Sequence, residues 1–101
     1  MEPVRVMVDH DPSAEQFRIR VEDHVARLQY RRRRGRIYFI HTEVPEALQG
    51  RGLADRLARA GLEFAQANGL RAIPACPFVA AYIRRHPEYQ ALVQDGDVDS
   101  P

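Results

Sequence analysis

Six consecutive residues, Gln49, Gly50, Arg51, Gly52, Leu53 and Ala54, are of the types that hold a phosphate. Glycines at 50 and 52 let a ligand come close to the backbone. The residues that follow, to position 68, have helical periodicity, so the loop ends where the first N–H groups of a helix lack partners and the macrodipole adds positive potential. Arg51 adds a mobile charge. Just ahead of the loop, His41, Thr42 and Glu43 close an apolar run, a place where open sheets put ligands. Two phosphate loops are excluded by spacing. No Gly-Lys-Ser/Thr is present, and the third glycine of the dinucleotide fingerprint is absent.

The elements that must position these residues follow from periodicity. Residues 4–8 alternate apolar with charged side chains, which predicts a strand, and Asp9, His10, Asp11, Pro12 and Ser13 predict a turn. Residues 16–22 place Phe17, Ile19 and Val21 on one face of a second strand. A third strand takes Val25, Ala26, Leu28 and Tyr30, and the arginines with Gly35 predict a hairpin turn into a fourth over residues 37–44. Because residues 37–40 are all apolar, that strand is expected to be central and covered on both faces. From there Leu53, Leu57, Ala60, Gly61 and Phe64 form one helical stripe, with Asp55–Arg59 and Arg59–Glu63 at pairing distance on the outside. Asn68-Gly69 stops the helix, and residues 70–75 read as a short fifth strand. A helix joining two strands makes them parallel neighbours. Phe78, Val79, Tyr82, Ile83 and His86 mark a second helix ended by Pro87, and residues 88–93 one further turn.

The 101 residues predict a single domain over 1–94 and a disordered acidic tail over 95–101. An apolar share of 45% with 29% charged residues predicts a folded core rather than disorder. A net charge of +1 does not select a partner by bulk electrostatics. With one cysteine no internal disulfide forms, and with no charged-then-apolar leader and no long apolar run the chain reads as cytoplasmic and not membrane-bound.

The pattern Gln-x-x-Gly-x-Ala, taken with the order strand, glycine turn, helix, short strand, helix with a tyrosine, resembles the GNAT superfamily of N-acetyltransferases. Residues 41–54 and 74–89 are similar to the two motifs of its compact YjdJ or N-acetyltransferase-domain-containing type. The resemblance implies a minimal GNAT-like α/β (α+β) fold: a mixed, mostly antiparallel five-stranded sheet with two main helices and an opening between strands four and five. It also implies acetyl-coenzyme A or coenzyme A as the ligand. Gln49, Gly50, Arg51, Gly52, Leu53 and Ala54 would hold its pyrophosphate, and the Val44 backbone its pantetheine arm. The chain departs from the wider pattern: no helices follow the first strand, no last two strands are evident, and the proline after the strand-end valine is Pro45.

The implied activity is transfer of an acetyl group to an amine of a small molecule or protein. It needs a base, an oxyanion donor and an acid for the sulfur. At the strand end Glu43 or His41 would be the base and the Val44 N–H the oxyanion donor, and the resemblance implies Tyr82 as the acid. Cys76, between Pro74 and Pro77, offers a covalent route in which its sulfur carries the acetyl group. Each has a plainer reading. A strand-end carboxylate or imidazole satisfies nearby backbone groups, Tyr82 belongs to an apolar stripe, and a buried cysteine packs as a small hydrophobe. The alternative function is a coenzyme A-binding module without turnover that acts through a protein partner, and a homo-oligomer is the other way to wall the acceptor site. Arg31, Arg32, Arg33 and Arg34 invite nucleic acid, but without an aromatic platform they read as a solvated turn. His10, His24, His86 and Cys76 lack metal-ligand spacing.

Overall fold

The computed structural model describes residues 7–93. Five strands, β1 (Asp9–Asp11), β2 (Gln16–Val21), β3 (His24–Arg33), β4 (Arg36–Glu43) and β5 (Arg71–Pro74), form one sheet in chain order. β1 to β4 are antiparallel neighbours and β5 is parallel to β4. Helix α1 (Leu53–Ala67) makes the crossover between β4 and β5, α2 (Pro77–Arg85) follows, and 3-10 turns occupy Glu46–Leu48 and Pro87–Leu92. This is the expected mixed, mostly antiparallel sheet with two main helices.

Period-2 alternation builds the core. Phe17 faces Leu28, Ile19 faces Ala26, Tyr30 faces Phe39 and Ile37 faces Ala72 across the strands, and all eight are buried. Helix α1 packs on β2, β3, β4 and β5. It comes closest at Gly61, where a Cβ would lie 2.7 Å from Phe39 Cε1, so only a residue without a side chain permits this approach.

Several local expectations are corrected. Asp9, His10 and Asp11 are strand rather than turn, because His10 stacks on Phe17 at 4.2 Å and pairs with it in register, and the turn falls at residues 12–15. Of the expected first strand, Met7 and Val8 are not in a strand, and positions 4–6 lie outside the described residues, as does the expected tail. The arginine run is strand to Arg33, leaving Arg34 and Gly35 as the turn, both with positive φ. β4 is covered on one face only: Tyr38 is half-buried and Ile40 is 40% exposed. Ile40 is a bulge residue, since Gln29 pairs with His41 and Tyr30 with Phe39, so two β4 steps oppose one on β3. The α1 stripe also includes Ala58, Leu62 and Ala65, with Ala60 and Phe64 only partly buried. The helix is covered by the sheet on one side and by α2 and the last 3-10 turn on another. Arg59 pairs with Glu63, but Asp55 reaches Arg85 instead, at 3.3 Å.

Candidate functional site

β5 ends early, and that makes the site. Its four residues pair with Arg36, Ile37, Tyr38 and Phe39, after which the Cys76 N–H donates to the Phe39 carbonyl at 2.7 Å and the chain turns into α2. Among the described residues, the second half of β4, from Ile40 to Glu43, therefore has no strand on that edge. The opening arises because β5 stops, not because two long strands diverge. Pro77 at the first helical position fixes where it stops.

The bare edge leads into the phosphate-type loop. Gly50 and Gly52 have φ of +83° and +75°, Gly52 is the N-cap of α1, and a Cβ at either would meet nothing within 4 Å. Their glycine character therefore answers to backbone conformation and to open space above the loop, not to packing inside the protein. Among the described residues no backbone carbonyl accepts from the N–H groups of Gly50, Arg51, Gly52, Leu53, Ala54 or Asp55. The Gln49 side chain closes the preceding turn by donating from Nε2 to the Val44 carbonyl at 3.2 Å.

A groove of about 550 Å³ joins these parts. His41, Thr42, Glu43, Val44, Gln49, Gly50, Gly52, Leu53 and Ala54 line it, together with Leu48, Asp55 and Phe78, which sequence reasoning did not place at the site. Arg51 and Tyr82 instead border a neighbouring hollow with Arg56 and Arg59, which shares Gly52 and Asp55 with the groove. Cys76 is 4% exposed and lies behind the groove wall, where its Sγ is 3.3 Å from Thr42 Oγ1. Tyr82 is buried and stacked on His86 with ring centroids 4.1 Å apart; burial first, and the nearby Tyr89 next, push its phenol above the ordinary range.

A profile for the GCN5-related N-acetyl-transferase family matches residues 16–92. The chain belongs to this family. It is 38% identical over 93 residues to protein NATD1 of Mus musculus, covering 89% of this chain and 83% of that one. To protein NATD1 of Gallus gallus it is 37% identical over 90 residues, covering 86% and 82%. An NMR solution structure of a GCN5-like protein from Staphylococcus aureus superposes with a TM-score of 0.69 at 26% identity, covering 87% of each chain.

The GCN5-related family generally uses acetyl-coenzyme A, and the groove has the chemistry for such a group. Six unbonded amides at a helix N-terminus suit a diphosphate. An unpaired strand edge suits an arm that carries amides of its own, because a second extended backbone could pair with it. Thr42 was placed at the ligand end of β4 by its position in sequence, but its contact with Cys76 was not. Its hydroxyl meets Cys76 through a contact spanning 34 positions of sequence, and no local pattern carries that.

Proposed function

We propose that the protein is an acetyl-coenzyme A-dependent N-acetyltransferase acting on a small-molecule or protein amine. The observation that carries this reading is the continuity of the bare β4 edge with the six unbonded amides of the loop. Held there, acetyl-coenzyme A would supply a thioester whose acetyl carbon takes a neutral amine, the C–N bond forming first and the C–S bond breaking as the sulfur leaves as a thiol. Gly50, Arg51, Gly52, Leu53 and Ala54 hold the diphosphate, Gln49 holds the turn that presents them, and the Val44 backbone meets the arm and donates its N–H to the oxygen that gains charge. Glu43 or His41 takes the amine proton. Tyr82 returns a proton to the departing sulfur from the hollow that adjoins the groove at Gly52 and Asp55.

Calorimetric titration with acetyl-coenzyme A, followed by free-thiol release over a broad amine panel, tests the reading. Binding with acceptor-stimulated release supports it. The second reading, a coenzyme A-binding module that works through a protein partner, is favoured by the four-residue connection between β1 and β2, which leaves the far face of the sheet without a helix from that segment. Binding with no release for any amine selects it.

A further inference from the structure

The sheet face turned away from the core carries charges in cross-strand rows over β1 to β4. Asp9, Arg18, Arg27 and Glu43 lie directly opposite one another in turn from β1 to β4. Their signs run minus, plus, plus, minus. Two arginines side by side repel, and the flanking carboxylates hold them loosely. Arg18 Nη2 is 3.7 Å from Asp9, Arg18 Nη1 is 3.6 Å from Asp11, and Arg27 Nε is 3.8 Å from Glu43. These separations are beyond hydrogen-bond reach. Arg27 Nε is shielded from solvent with no hydrogen-bond partner among the described residues, a state that ordinarily costs free energy. Both side chains remain about a third exposed, at 35% for Arg18 and 37% for Arg27, so their terminal nitrogens can be met from outside.

The row begins at the groove. Glu43 lines it, and so does His41, which ends the adjoining row of Asp11, Gln16 and Gln29. A molecule on this face would therefore meet a carboxylate next to the reacting end and two guanidinium groups one and two strands further on. A polyamine would bring positive charge onto the arginines. A peptide N-terminus would leave them unmet, having no carboxylate beside its amine.

We infer that this face is the acceptor site and that the acceptor is a free α-amino acid, its ammonium group met by Glu43 and its carboxylate by Arg27 and Arg18. Adjacent strands are about 4.8 Å apart, a step that puts Glu43 and Arg27 within reach of a molecule whose amine and carboxylate share one carbon, while Arg18, one step further on, meets the far side of that carboxylate through its long side chain. The ammonium reaches its reactive neutral form by giving one proton to Glu43, and the second proton leaves nitrogen to His41 as the C–N bond forms. The inference rests on the acetyltransferase reading above and names the substrate class for it.

The test uses ¹⁵N-labelled protein with coenzyme A added first and the common free L-amino acids afterwards, each beside the matched amine that lacks the carboxylate. Coenzyme A is expected to move the amide signals of Gly50 to Ala54. At least one amino acid should then move the Nε–H signals of Arg18 and Arg27 saturably, while its matched amine should not. With acetyl-coenzyme A, that amino acid should release thiol at least about tenfold faster at low concentration, a difference of about 1.4 kcal/mol, and Arg18→Gln or Arg27→Gln should bring the ratio toward one. If coenzyme A binds and no amino acid moves either arginine signal, the acceptor inference is overturned and the cofactor reading stands. If the ratio survives in both variants, the arginines do not read the carboxylate. If coenzyme A moves no loop amide, both readings fall.

Discussion

Thr42 Oγ1 and Cys76 Sγ meet at 3.3 Å across the place where β5 has ended and β4 continues. Together with the Cys76 N–H on the Phe39 carbonyl, this contact pins the start of α2 to the core side of the groove. Cys76 thus acts first as a clasp on the wall of the site.

For that reason Cys76→Ala should leave coenzyme A affinity nearly unchanged and should not abolish acetyl transfer. Intact-protein mass spectrometry after incubation with acetyl-coenzyme A checks the point. An acetyl adduct on Cys76, together with loss of turnover in the alanine variant, would establish the covalent route in place of direct attack.

Gly52→Val should weaken coenzyme A binding by orders of magnitude. A β-branched residue is strained at a φ of +75° and would fill the open space above the loop. Loss of two or three charge-assisted hydrogen bonds at about 1.5–3 kcal/mol each sets the scale. Calorimetry decides it, and wild-type affinity in this variant would remove the phosphate-loop assignment.

Gly61→Ala acts elsewhere. With its new methyl 2.7 Å from Phe39 Cε1 and 3.2 Å from Leu28 Cδ2, helix and sheet must separate, a destabilisation of about 1–3 kcal/mol. Thermal unfolding should show it as a lowered midpoint.

Tyr82→Phe should slow turnover while coenzyme A affinity holds. Because burial raises the Tyr82 phenol, the wild-type kcat should stay flat on the alkaline side past the ordinary tyrosine range. A Tyr82→Phe enzyme with wild-type kcat would show that the acid is another group.

His10 makes stability depend on pH. His10 Nε2 and the Tyr30 hydroxyl share a hydrogen bond of 2.6 Å. Burial, against an opposing pull from Asp11, lowers the His10 pKa below 6.5. The unfolded chain then binds the proton more readily than the folded one, so this contribution is present in full above pH 6.5 and declines as the pH falls below it. Denaturant midpoints measured across that window should fall with pH in the wild type and fall less steeply in His10→Asn.

Sequence alone determined what local spacing can carry. The apolar stripe from Leu53 to Phe64, the Asn68-Gly69 stop, and the stripe from Phe78 closed by Pro87 delimited both helices, and the crossover rule made β5 the parallel neighbour of β4. The two positive-φ glycines ahead of α1 marked the loop in the same way. Only the tertiary structure decided which faces and edges are covered. Residues 37–40 read as a strand buried on both sides, yet Ile40 bulges outward, because an apolar run records hydrophobicity and not whether a helix lies above it. Asp55 likewise has Arg59 at helical spacing but reaches Arg85 on α2, since exposed pairs are worth little and a neighbouring element easily redirects them. The Thr42–Cys76 contact, the bare edge of β4 and the charged row from Asp9 to Glu43 join residues far apart in the chain, and their proximity comes from sheet register, a property of the folded chain that no local segment holds.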